Sequence, residues 1–257
     1  MASGIRKLHD FCWINMLTPQ PDAARTFFTK VLNWTYGDME GGMGHFINVN
    51  GKVVGGIFDL NSPQTPPGTP PCIGVMVKVE SADATGAKVA SLGGKAMPAF
   101  DIFDKGRMAV CFDLNGANFD VWQPRASQGM EADSMHHGAP SWFESLTSDP
   151  AKATKFYCDL FGWKYEVMAM SNHMEYTIFK LGDDRIAGMM KITPDMGPIP
   201  PLWSVYFTVT DADVSTKLAQ SLGAKVCVPV TPIPNVGRFS VLTSPQGVTF
   251  CVIQYQR

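Results

Sequence analysis

Glu144 is the only charged residue in the run WFESLT (142–147). A carboxylate set among apolar neighbours is desolvated, which lifts its pKa toward values useful to a general base. Tyr206, in WSVYFT (203–208), supplies a hydroxyl on a second apolar run. A structural role competes with the catalytic one: Glu144 would pair with an arginine or a backbone N–H and hold two sheets together. Asp120 poses the same choice between an acid lining a pocket and a solvated strand residue. Arg107 and Arg238 each follow a glycine. They suit either clamping an anionic substrate or satisfying carbonyls where a loop enters a strand. Cys251 would need a neighbouring base to act as a nucleophile, and the sequence names none, so it reads as a small buried thiol.

The elements that must position these residues occur twice. WINMLTPQPDAARTFFTKVLNW (13–34) and WFESLTSDPAKATKFYCDLFGW (142–163) share both terminal tryptophans, the Thr and the first helical Pro at one offset. Leu92-Gly93 answers Leu222-Gly223, Gly106-Arg107 answers Gly237-Arg238, and Gly116, Phe119 and Val121 answer Gly247, Phe250 and Val252. A period of half the chain indicates a duplicated domain rather than a solenoid. Residues 1–124 and 139–257 are the expected domains. Residues 125–138, polar and without period, are the expected linker.

Within the second half, Asp149-Pro150 opens a helix as N-cap and first helical residue. Phe156, Leu160 and Phe161 keep helical spacing, and Gly162 stops it. Strands are expected at 165–168, 175–181 and 186–192. After the Pro-rich loop 193–201, a strand at 203–209 and a helix at 211–222 follow, then strands at 225–230, 239–243 and 248–254. The first half follows the same order, with 63–71 as its Pro-rich loop. The fold class is therefore α+β, with tandem halves that each contain two βαβββ units.

Composition removes several functions. The 257 residues carry 45% hydrophobic and 17% charged residues and a net charge of −2. No basic cluster interleaved with aromatics points to nucleic acid. The six cysteines form no CxxC pair, which fits a reducing compartment. MASGIRKLHD lacks a signal-peptide core, and no apolar stretch would span a bilayer. A cytoplasmic protein without membrane contact is expected, as a monomer or homodimer.

Four βαβββ units of this kind resemble the vicinal-oxygen-chelate superfamily of glyoxalase I, bleomycin-resistance proteins and extradiol dioxygenases. The resemblance covers nearly the whole chain and is carried by TSDPAKATKFYCDLFGW and SPQGVTFCV. PSWFESLTSD, PLWSVYFTVTDAD and VGRFSVLTSPQG are similar to a two-domain, glyoxalase-like actinobacterial subgroup that includes a mycobacterial antigen. The resemblance implies tandem glyoxalase-like domains, each a cup-shaped half-barrel, with a divalent metal at the floor acting as Lewis acid. It also implies where the metal ligands would stand. Those places hold Trp142 and Trp13, Ser204 and Gly74, and Cys251 and Asp120, with Asp59 the only acid near the fourth. Indole N–H is a donor and cannot bind a cation. A divalent site wants three or four His, Glu, Asp or Cys ligands. The five histidines do not help, since His9, His136 and His137 precede the domains and His45 and His173 sit in turn-like stretches. No metal site and no cofactor are expected here, and Asp120 could be a relict ligand.

If those positions face the cup, alternation along each strand adds their neighbours two residues away. The second cup then carries Trp142, Glu144, Ser204, Tyr206, Thr208, Thr249 and Cys251. The first carries Trp13, Asn15, Gly74, Met76, Lys78, Asn118, Asp120 and Trp122. Aromatic walls with few polar groups suit a small-molecule ligand. Glu144 and Tyr206 are the candidate catalytic pair. Trp13, Asn15, Asp120, Trp122, Trp142, Trp203, Arg238 and Cys251 are the candidate ligand contacts. The expected function is binding a small oxygenated or aromatic metabolite, as a lyase or isomerase without the usual metal. Non-catalytic sequestration, a metal-dependent dioxygenase and a partner-binding scaffold are the alternatives, and fold alone does not choose.

Overall fold

The structure is a computed structural model that describes residues 4–63, 65, 68–170 and 174–256. His173 lies outside the described residues.

The first half begins with β1 (Phe11–Thr18), α1 (Pro21–Leu32), β2 (Thr35–Asp38), β3 (His45–Val49) and β4 (Lys52–Asp59). Its second unit is β5 (Cys72–Lys78), α2 (Ala82–Ser91), β6 (Lys95–Ala96), β7 (Phe100–Ile102), β8 (Gly106–Phe112) and β9 (Asn118–Pro124). The second half repeats the pattern with β10 (Pro140–Thr147), α3 (Pro150–Phe161), β11 (Lys164–Ala169), β12 (Glu175–Leu181) and β13 (Asp184–Lys191). It ends with β14 (Leu202–Thr208), α4 (Ala212–Ser221), β15 (Lys225–Ile233), β16 (Gly237–Thr243) and β17 (Thr249–Tyr255). Where β15 is continuous, the first half has two short strands, β6 and β7, separated by residues 97–99.

The helix ends follow the expected chemistry. The Asp149 carboxylate accepts from Lys152 N, and Gly162 takes the left-handed conformation (φ 72°) that ends α3. Asn33 adopts the same conformation at the end of α1 (φ 55°), as short polar side chains tolerate. Asp211 and Ser81 cap α4 and α2 by accepting from the third residue beyond.

Each half forms one open sheet, in the order β2-β3-β4-β1-β5-β9-β8-β6 with β7 also on β8, and β11-β12-β13-β10-β14-β17-β16-β15. The two units of a half meet where β1 runs antiparallel to β5, and β10 to β14. Alternation divides β1 cleanly: Ile14 and Met16 are fully buried in the core while Trp13 and Asn15 face the cup. The convex faces and the helices share a single apolar core across both halves. Phe11 of β1 stacks on Phe143 of β10 at 4.1 Å between ring centroids. Phe28 of α1 packs edge-on against Phe250 of β17, and Tyr157 of α3 against Phe119 of β9. Each half thus sends its first helix onto the other half's sheet, and the two cups face outward.

Residues 125–138 are polar in composition, yet they pack closely. Met130, Ala132 and Ser134 are buried in alternation with more exposed neighbours. Met130 N donates to Cys12 O at 2.6 Å, and Gly138 N donates to Thr208 O at 2.7 Å. No helix among the described residues is long and apolar enough to cross a membrane.

Candidate functional site

Glu144 lies at the middle of the second cup, on β10, and is 8% exposed. Its backbone sits between Gly188 of β13 and Ser204 of β14. Both carboxylate oxygens are held. Tyr206 Oη donates to Oε1 at 2.7 Å, and Tyr176 Oη donates to Oε2 at 2.7 Å. Trp142 Nε1 in turn donates to Tyr176 Oη at 2.9 Å. Burial raises the Glu144 pKa, and the two tyrosine hydroxyls partly offset that rise. The same burial, reinforced by the Glu144 charge, pushes the Tyr206 hydroxyl well up. Cys251 lies beside Tyr206, its thiol also pushed well up by burial, so it carries no thiolate at neutral pH.

Tyr176 reaches Glu144 because position 188 has no side chain. A Cβ there would lie 1.8 Å from Tyr176 Oη. Around this polar cluster, Phe239, Val241, Ile253 and Tyr255 pack with Tyr206 and Cys251. Met168 and Met190 flank Tyr176 on the neighbouring strands. This inner face of the second cup, the bowl, carries buried to partly exposed aromatic and thioether groups around one buried acid. Two surface recesses lie outside both cups, one beside α1 and one between Asn50 and Glu131–His136.

The first cup carries the same theme with its acid moved. Asn15 stands where Glu144 does, and Asp120 of β9 stands where Cys251 does. Trp13 Nε1 donates to Asn15 Oδ1 at 2.9 Å, and Asn15 Nδ2 donates to Asp120 Oδ2 at 3.1 Å. Burial pushes Asp120 up to about 7, opposed by the amides of Asn15 and Asn118. Trp122 packs in this cup with Cys12, Met76, Trp13 and Met108. Gly56 is the counterpart of Gly188, but here Met39 and Phe58 crowd it.

Eight of the ten sequence-derived candidates therefore gather in two clusters: Glu144, Tyr206, Trp142 and Cys251, and Trp13, Asn15, Asp120 and Trp122. Two do not. Trp203 points to the opposite side of β14 from Ser204 and Tyr206, into the central core, where its Nε1 donates to Tyr157 Oη at 2.9 Å. Arg238 lies on the helix side of β16, ion-paired with Asp213 of α4. Arg107 does the same with Asp83 of α2 at 2.7 Å. Neither arginine reaches a cup, so neither can clamp a ligand there. Tyr176 is the member that sequence reasoning missed. Its signal was Gly188, a glycine inside a strand, which marks a close approach.

The residues present do not fit a divalent metal. Among the described residues each cup offers one buried carboxylate, and Glu144 spends both oxygens on tyrosine hydroxyls. Among the described residues no group of three or more His, Cys, Asp and Glu converges. Asp59 at the end of β4 accepts from Asn61 N at 2.9 Å and belongs to a turn.

Comparison with known proteins agrees with this architecture. The family model described as the Glyoxalase/Bleomycin resistance protein/Dioxygenase superfamily matches residues 140–252. A Mycobacterium bovis protein named "Putative glyoxylase CFP32" is 36% identical over 248 residues, covering 94% of this chain and 93% of its own. The "Anthracycline biosynthesis protein DnrV" of Streptomyces peucetius is 27% identical over 256 residues, covering 94% and 92%. The crystal structure of the Mn(II)-bound glyoxalase from Novosphingobium aromaticivorans superposes with a TM-score of 0.65 at 15% identity, covering 96% of this chain and 82% of that one. With its doubled cup and its identity to CFP32 along nearly the full length, the chain belongs to the glyoxalase/bleomycin resistance protein/dioxygenase superfamily.

Proposed function

We propose that the second cup is the working site of a glyoxalase-like protein, and that it binds a small oxygenated or aromatic metabolite over Glu144. One observation carries this reading: a carboxylate with raised pKa is buried among aromatic side chains and, among the described residues, is held by two tyrosine hydroxyls alone. Structural ion pairs also perturb carboxylates, but among the described residues no cation acts on this one. A raised pKa suits a group that takes a proton from carbon beside a carbonyl and returns it to the adjacent carbon, as in isomerase and lyase chemistry. Once Glu144 holds that proton it no longer needs both tyrosine donors, and Tyr206 or Tyr176 can turn its single O–H from the carboxyl to a developing oxyanion. The relatives named for glyoxylase activity and for anthracycline biosynthesis support a small-molecule ligand. The site works in the cytoplasm, in a monomer or homodimer, and the repeat boundaries at 1–124 and 139–257 delimit its two domains.

Retention without turnover is the second reading, favoured by Trp142 and Tyr176 lying over the acid and closing the floor. Glu144→Gln decides the assignment. The variant should fold within about 1 kcal/mol of wild type, because the amide keeps the shape and one acceptor. It should lose ligand binding or turnover at least tenfold (about 1.4 kcal/mol). Full activity in this variant makes Glu144 structural and ends the assignment.

A further inference from the structure

We infer that the second cup selects its ligand by charge, taking aromatic cations ahead of neutral aromatics and rejecting anions. This rests on the bowl being the ligand site. Among the described residues, the groups that act on Glu144 are two uncharged hydroxyls, beside its own burial. Three cations of the same half, Lys180, Arg185 and Arg238, are engaged elsewhere. Lys180 and Arg185, toward the β11 edge, both pair with Glu166, at 3.3 Å and 2.5 Å. Arg238 is on the far face with Asp213. The bowl therefore presents one uncompensated carboxylate.

Its walls push in the same direction. Trp142, Tyr176, Tyr206, Phe239 and Tyr255 present ring faces and edges, and ring faces attract cations. A ligand carboxylate brought within about 4 Å of Glu144 would lose roughly a hundredfold or more in affinity from repulsion at the dielectric of a protein surface. An anion could enter only with a proton taken up by Glu144. An ammonium in the same place gains by the same field.

Three naphthalenes of one shape test this: 2-naphthylmethylammonium, 2-naphthalenemethanol and 2-naphthoate, titrated by calorimetry and by tryptophan fluorescence at about pH 7.5. The ammonium should bind at least tenfold more tightly than the alcohol, and the naphthoate at least tenfold more weakly. Glu144→Gln should bring all three within about threefold and admit the naphthoate, while Glu144→Asp keeps the order. Trp142→Phe should retain calorimetric binding and lose much of the fluorescence quench, which locates the ligand in the bowl. Naphthoate binding wild type within threefold of the alcohol, or an order that survives Glu144→Gln, overturns the charge selection and leaves the bowl as a ligand site. Binding of none of the three, or an unchanged quench in Trp142→Phe, overturns the bowl as the site and the selection with it.

Discussion

Glu144 and Asp120 sit at transposed corners of the same pattern. In one half the acid is on the first strand and a thiol on the last; in the other an amide is on the first and the acid on the last. Their neighbours differ accordingly, hydroxyls for Glu144 and amides for Asp120. Asp120 gives the sharper pH prediction because its folded pKa is about 7, against 3.8 in the unfolded chain. A carboxyl with a raised folded pKa favours the native state fully below the unfolded value, and that contribution is lost as pH rises to the folded one. By about pH 8 the buried charge should cost up to about 4 kcal/mol, from roughly three pKa units at 1.36 kcal/mol each. Asp120→Asn should therefore raise the melting temperature at about pH 8, with the gain fading toward about pH 4. A gain that does not vary with pH would mean that Asp120 is not desolvated. Both acids were legible in the sequence because each stands alone in an apolar run. Tyr176 was not, because its contact with Glu144 crosses from β12 over β13 to β10, and no local spacing records that. Trp203 stands among the candidate ligand contacts, although alternation from Ser204 and Tyr206 turns it away from the cup.

At the scale of elements, the repeat made the strand and helix order readable, and the caps fixed the helix ends. The linker was harder. Its buried residues alternate singly with polar ones, so composition concealed a segment that hydrogen-bonds to β1 and β14. The cross-strand placement of β12, β13 and β10 is what builds the site, and it turns on Gly188. In Gly188→Ala the new methyl would overlap Tyr176 Oη, 1.8 Å away, and the ring must leave Glu144. Overpacking of this kind costs about 1–3 kcal/mol. The cost should come from the tyrosine alone. In a Tyr176→Ala background the same glycine substitution should be nearly neutral, a coupling that a double-mutant cycle reads directly. Additive losses would place the strain in the backbone of β13 instead.

At the scale of the molecule, the two cups are tied back to back by rings that cross between the halves. Phe11 stacks on Phe143 and packs against Trp163 and Trp203, while Tyr157 touches Phe119. Tyr157 Oη also donates to Asp113 Oδ2 at 3.0 Å, and Trp163 Nε1 donates to His9 O at 2.8 Å, both across the halves. A bowl on one sheet is therefore shaped by a convex face that the other sheet holds in place. Neither sheet can lose its packing without exposing the back of its partner, so the halves should unfold in one step despite their duplicated sequences. Phe11→Ala removes a fully buried ring at the centre of this contact and should cost about 3–5 kcal/mol. The loss should appear as one lowered transition, with tryptophan fluorescence and far-ultraviolet circular dichroism superimposing. Trp13, Trp34 and Trp122 report from the first half, and Trp142, Trp163 and Trp203 from the second. Two separated transitions in wild type, or one transition that moves while the other stays, would show that each half is held by its own core. In that case the aromatic seam would be a contact between finished domains, and the second cup would keep its Glu144 cluster when the first half melts.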